Sequence, residues 1–349
     1  MTTGVMLLNF GEPSEPEREA VVDYLERIFF NNRDIEGETT EEEARERSRQ
    51  LAERRAPALI EEYEEIGGSP LNIHAGEQAD AVEAALRDRG YDVNTYLGMQ
   101  FTEPFIGDAV AEAKADGVDH LIGLPIYPLC GPSTNVASLR EMQEAIDDLD
   151  WDVETDEITG WHKHPGYNHL RADNIRSFAD EHDLDLNGDA RLVFSAHGTP
   201  QYYLEQGSRY EIYVEEFTEV VASLLGVGEY ELGYQNHENR DIPWTEPDVE
   251  EVVENLDGAE QVLVEPISFM HEQSETLSEL DIELREEAEA EGLEFYRAPI
   301  PHGDDRFADV MSDLVEPFVA GFDPSYYQFR QCQCRDEPGT MCLNAPMGE

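Results

Sequence analysis

The most constraining feature of this sequence is an alternation of two kinds of segment. Short apolar runs rich in β-formers recur along the chain: "VMLLNF" (5–10), "VNTYLGM" (93–99), "HLIGLPIY" (120–127), "RLVFSAH" (191–197), "YELGYQ" (230–235), "QVLVEPISF" (261–269) and "LEFYRAP" (293–299). Between them lie longer stretches, such as 76–90, 104–117, 212–225 and 275–292, with helical length and charged polar faces. Apolar strands joined through helices imply parallel sheets covered on both faces, because a parallel neighbour is reached only by a crossover. The predicted class is therefore α/β, and ligands in such folds sit beyond the carboxyl ends of the strands. The sequence also echoes itself. Phe10-Gly11-Glu12-Pro13 follows the first run as His197-Gly198-Thr199-Pro200 follows a later one, and "LPIYP" (124–128) resembles "EPISF" (265–269). Two similar Rossmann-like halves, each a parallel sheet flanked by helices, account for both echoes. The expected division is 1–150, 151–320 and a tail, 321–349, with chemistry of its own.

Charge narrows the partners. Asp and Glu number 79 against 23 Lys and Arg, a formal charge of −56, and the only lysines are Lys114 and Lys163. Such an excess repels nucleic acid and anionic membrane surfaces, so neither is expected as a partner. The charge is spread along folded segments rather than gathered in blocks, which fits an acidic, lysine-poor surface suited to a very salty cytoplasm. No apolar run approaches the ~20 residues of a membrane helix. The start, "MTTGVMLLNFGEP", reads as a first strand rather than a secretion signal, so a cytoplasmic location is expected.

Four places carry side chains with chemical potential. His197 ends a buried run and is followed by Gly198 and Pro200, an arrangement that presents an imidazole at a strand mouth for metal binding or proton acceptance, or for a plain hydrogen bond. Glu275, Glu279 and Glu283 recur every four residues, a carboxylate stripe on one helix face that is either solvated or a track for a cation. His271, just before it, is a further ligand or a helix-start residue. "YEEIGGSPLN" (63–72) reads by itself as a turn and helix cap. Cys332, Cys334 and Cys342 crowd the tail, and with Cys130 they match the ligand count of a zinc or [2Fe–2S] site, or remain thiols or disulfides. Dinucleotide, P-loop, α/β-hydrolase and zincin motifs are all missing.

Taken together the motifs resemble the ferrochelatases, which insert ferrous iron into a porphyrin in heme synthesis. The resemblance runs from about residue 4 to about 318, through "VMLLNFGEP", "YEEIGGSPLN", "TYLGMQFTEPFIGDAV", "LPIYPLCGPSTNVASL", "VFSAHGTPQYYLEQGSRY", "YELGYQN…PWTEPDVEEVV" and "VLVEPISFMHEQSETLSELDIE". It implies a porphyrin cleft between the halves, with His197 and Glu275 facing each other as the catalytic pair. It further implies Glu279 and Glu283 as an iron or proton route, and Phe10, Arg33, Tyr63 and Ser69 as porphyrin-side residues, Arg33 toward a propionate. The substrate would be protoporphyrin IX or coproporphyrin III, with Fe(II) as co-substrate. Many relatives read Ser-Asp-His where this chain has His271-Glu272-Gln273, so the approach to Glu275 is rewired. Some have arginine where Glu62 stands. A subset carries a [2Fe–2S] cluster on three C-terminal cysteines and one internal cysteine, which Cys332, Cys334, Cys342 and Cys130 would supply. The alternatives are a chelatase for another tetrapyrrole, such as sirohydrochlorin, and a heme- or cluster-binding sensor that has lost turnover.

Overall fold

A computed structural model describes residues 2–36, 40–237, 242–256, 258–321 and 340–342. In the first half, strands β1 (Thr3–Asn9), β2 (Val93–Met99), β3 (His120–Pro125) and β4 (Glu154–Ile158) alternate with helices α1 (Arg18–Asn31), α2 (Glu41–Ile66), α3 (Leu71–Asp88), α4 (Ile106–Ala115) and α5 (Ala137–Asp148). The second half opens with α6 (Pro165–Glu181), β5 (Ala190–His197), α7 (Gln201–Glu205), α8 (Tyr210–Leu225) and β6 (Glu231–Gln235). It continues through α9 (Val249–Glu254), β7 (Gln261–Pro266), α10 (Arg285–Ala290), β8 (Glu294–Arg297) and α11 (Asp305–Val319). A two-residue strand, β9 (Thr340–Met341), lies in the tail.

All strand pairs are parallel. The first sheet has the order β2-β1-β3-β4-β9 and the second β6-β5-β7-β8. Each half therefore places its first strand second in the sheet and its third strand beside it. The register extends the likeness to single residues: Leu8 pairs with Pro125 as Ser195 pairs with Pro266. Phe10 and His197 then occupy equivalent positions, two residues past those pairings. Every residue of β1 is buried, as a central strand covered on both faces requires. Because β4 joins the first sheet, that sheet extends to Ile158, and β9 of the tail contributes an edge strand.

One apolar core crosses both halves, joining Val5, Leu7 and Ile122 to Phe194, Tyr213 and Leu263. Helix α11 is pinned to the end of α3 by Arg89, whose guanidinium pairs with Asp309, Asp313 and Glu316. Helices α1 and α2 form a separate layer over one side of the cleft, packed through Val21, Leu25, Phe29, Leu51, Leu59 and Tyr63. Helix α2 starts in a capping box between Thr40 and Glu43 and ends at Gly67, whose φ of 80° suits the left-handed stop.

One local departure shapes the site. The carboxylate segment Glu275–Leu284 is a π-helix instead of the expected α-helix, and a shorter π-helix, Pro132–Val136, stands at the matching place after β3. Such wide turns are rare and concentrate at functional sites.

Candidate active site

The cleft opens at the carboxyl ends of β1, β3, β5 and β7. Phe10, Tyr24, Leu25, Phe29 and Leu59 line it from the first half, and Trp244, Phe269 and Met270 from the second. Near its mouth Tyr203 donates a hydrogen bond of 2.7 Å to Asn32, linking α7 to the end of α1.

Three side chains converge inside. His197 Nε2 lies 3.2 Å from Glu275 Oε1 and 3.2 Å from His237 Nε2, and His237 Nε2 lies 3.4 Å from the same carboxylate oxygen. The tautomer of His197 follows from its other nitrogen. Nδ1 is 2.6 Å from the carbonyl oxygen of Gly198, which only accepts, so Nδ1 carries a proton and Nε2 is the atom that faces Glu275 and His237. The strand end is fixed as well: the His197 N–H donates to Ser268 Oγ, and its carbonyl accepts from Tyr210.

Gly198 explains how His237 arrives. The Gly198 N–H donates to Gln235 O at 2.7 Å, and a β-carbon at 198 would stand 1.9 Å from Asn236 Oδ1 and 2.8 Å from Gln235 O. The missing side chain admits the loop after β6, which carries His237 to His197. No periodic pattern marks His237, and the sequence reading passed over it. It supplies a second imidazole beside Glu275. Gln273 donates to Glu275 Oε2 at 2.6 Å. His271 does not join the set: buried, its Nε2 lies 2.7 Å from Gln78 Oε1, and burial, reinforced by His74 and His302, lowers its pKa to about 3.

Electrostatics divides the carboxylates. Burial opposes charge on both His197 and Glu275, but their mutual attraction outweighs it. His197 is pushed up to about 9, and Glu275 is held well below the usual carboxylate range. Glu279 is raised to about 7, first by burial and also by the Glu275 charge, with His237 and a hydrogen bond from Gln235 opposing. That bond, Gln235 Nε2 to Glu279 Oε2, is 3.0 Å; the same amide donates to Glu275 O, and Ser195 Oγ donates to Gln235 Oε1. Glu283 lies farther along the helix and is exposed, so the stripe runs from the cleft to the surface.

The other expected positions divide. Phe10 lines the cleft, stacked edge-on against Phe101 at 4.5 Å between centroids. Tyr63 and Ser69 are buried behind the wall, beside Glu12, and are not among its lining residues. Arg33 is exposed, donating to Phe30 O, and is also outside the lining. Arg55 is instead the one Arg or Lys among the described lining residues, paired with Glu62 at 2.8 Å. Arg55 reaches the cleft from the inner face of α2. Cys130 and Cys342 are both buried; Cys332 and Cys334 lie outside the described residues.

Two like parallel halves around a cleft make this a chelatase-like fold. A cobalt complex of the sirohydrochlorin chelatase of Bacillus subtilis subspecies spizizenii superposes with a TM-score of 0.53 over 93% of this chain and 99% of that one, at 10% identity. The sequence profile of the family described as Ferrochelatase matches residues 2–318. Ferrochelatases are similar along most of the chain. That of Synechococcus sp. strain RCC307 is 37% identical over 272 residues, 75% of this chain and 69% of its own. That of Gloeobacter violaceus is 33% identical over 321 residues, 89% and 96% of the two chains. This protein belongs to the ferrochelatase family.

Proposed function

We propose that the cleft receives a porphyrin and that His197, His237 and Glu275 present Fe(II) to it as co-substrate. The observation that carries this is the convergence of three ligand atoms, two imidazole and one carboxylate, within 4.8 Å of one another. Imidazole and carboxylate hold Fe(II) without the tight grip of a thiolate set, so the ion remains transferable. Before iron arrives, Glu275 is the counter-charge of a His197 imidazolium. The incoming cation displaces the Nε2 proton and takes its place against the carboxylate. His197 therefore acts as a ligand, and the proton-accepting role moves to Glu279.

Metallation replaces two pyrrole protons with one Fe(II). A carboxyl group near 7 accepts such a proton and gives it up again at neutral pH, and Glu279 and then Glu283 lead outward from the ligand set. The apolar lining binds the macrocycle through its faces, and remote binding energy of this kind is available for bending the ring toward the geometry of insertion. Arg55 is the side chain for a propionate. One guanidinium, already paired with Glu62, suits a porphyrin with few carboxylates better than a polycarboxylate such as sirohydrochlorin.

The test is anaerobic metallation with Fe(II) and each of protoporphyrin IX and coproporphyrin III, following loss of free-base fluorescence. Wild type should turn over one of them, and His197→Ala should abolish it. Porphyrin binding without turnover in either protein would favour the sensor reading.

Two finer readings accompany this one. The cysteines fit a [2Fe–2S] cluster by donor type, and Cys130 and Cys342 are both buried after strands of the first sheet. Cys130 follows β3, Cys342 follows β9, and the backbone N–H groups of Trp161 and His162 past β4 both donate to Pro128 O. Cys130, Cys332, Cys334 and Cys342 would hold the cluster, whose absorption and electron-spin signals should vanish in Cys342→Ser. The acidic surface suits a high-salt cytoplasm, and the Tm should rise with KCl; a flat profile would defeat that reading.

A further inference from the structure

Glu12 is a buried carboxyl that the reaction above leaves unused. It follows β1 in the first half, is 4% exposed, and lies at the cleft. Its backbone is fixed from both sides by Asn72: the Glu12 N–H donates to Asn72 Oδ1 at 3.0 Å, and Asn72 Nδ2 donates to Glu12 O at 2.8 Å. Asn72 Nδ2 also donates to Thr102 Oγ1. The turn before it is equally committed, since Gly11 has φ of 82° and a β-carbon there would stand 2.3 Å from the same threonine oxygen. Residue 12 is thus presented at a defined place.

From that place the carboxylate reaches the other half. Oε1 accepts the Ser274 hydroxyl at 2.5 Å and Oε2 accepts the Ser274 N–H at 3.2 Å. Ser274 immediately precedes Glu275 and opens the π-helix, and its own side chain makes no capping bond to that helix. Helix N-termini have unsatisfied N–H groups and favour negative charge. Glu12 provides an acceptor there from the opposite half of the molecule. Glu275 is held from the other direction by Gln235, which donates to its carbonyl oxygen.

We infer that Glu12 is a positioning residue for metal insertion, holding the Ser274–Glu275 step across the cleft so that the Glu275 carboxylate stays in register with His197 and His237. This rests on reading those three as the metal-handling set. The arrangement is of the kind in which outer partners orient ligands, where losses of ~10–100-fold in metal affinity follow their removal.

The experiment titrates Co(II), in the absence of porphyrin, into the full-length protein, reading its visible absorption, and separately measures KM for Fe(II) and for porphyrin. Glu12→Ala and Ser274→Ala should each raise the Co(II) Kd by ~10-fold or more and alter the band intensity. KM for Fe(II) should rise with it and KM for porphyrin stay put. The double variant should be no worse than Glu12→Ala, which removes both bonds, whereas Ser274→Ala keeps the backbone N–H bond to Glu12. Glu12→Gln, which keeps one acceptor oxygen, should recover part of the affinity. Unchanged Co(II) affinity in both single variants, additive losses, or a rise confined to porphyrin KM would each overturn the inference. Should Glu12→Ala fold poorly, Ser274→Ala removes one hydroxyl and still decides. If the wild-type spectrum does not respond to His197→Ala, the ligand assignment itself fails, which is a separate result.

Discussion

On the proposed function, the pairing of His197 with Glu275 makes metal affinity steeply dependent on pH. A cation needs the Nε2 lone pair, while Nδ1 keeps its proton on Gly198 O throughout. With His197 at about 9, that lone pair is available in only ~1% of molecules at pH 7 and in ~10% at pH 8. The Co(II) Kd should therefore tighten ~10-fold per pH unit from 7 to 8 and level off as the pH passes 9. Each ion bound at pH 7–8 should release about one proton, read by calorimetry in buffers of different ionisation enthalpy. Glu275 contributes no slope in this range, because it is held well below the usual carboxylate values. Glu279, titrating at about 7, adds charge near the ligands and steepens the profile at its acid end. Glu275→Gln removes the interaction that raises His197 while leaving the burial that lowers it. The variant should bind weakly, and its profile should be flat above pH 7. Wild-type affinity that is constant between pH 7 and 9, or binding without proton release, would refute the reasoning.

Two further outcomes follow from geometry already described. Gly198→Ala should push the 235–237 loop away, because the new β-carbon meets backbone at Gln235 O as well as Asn236; Co(II) affinity should drop by ~10-fold or more with porphyrin binding largely kept, and equal loss of both would contradict this. Arg171 is fully buried, donates to Glu265, Pro266 O and Phe269 O, and so braces the segment leading to the site; Arg171→Met strands a buried carboxylate and should lower unfolding free energy by about 3–5 kcal/mol in denaturant titrations, while a change under 1 kcal/mol would count against a strong role.

Much of the fold was open to reading because a central parallel strand must be apolar on both faces, and β1, β3, β5 and β7 announce themselves that way. His197 and Glu275 were legible for a related reason: each stands at or just beyond a strand end, where this class of fold puts its ligands. His237 was not, since it sits in a loop with no periodicity and reaches the site only through the close contact of Gly198 with Asn236. Arg55 was not legible either, because which face of a long helix turns inward depends on what it packs against. The π-geometry at 275–284 was equally hidden. A four-residue spacing of glutamates looks the same in either helix, and the wider turn is set by tertiary packing.

The matching sheet orders carry a consequence for how the two halves came to differ. By register, Phe10 stands where His197 does. If each half descends from a single duplicated unit, the copies have diverged at that position, to an aromatic ring in one and an imidazole in the other. The first copy still brings Glu12, Arg55 and Glu62 to the cleft, while the second brings His197, His237 and Glu275. On the proposed function, a flat ligand between the copies would meet its cation from the second copy alone, so the duplication has ended in one delivery rather than two competing ones.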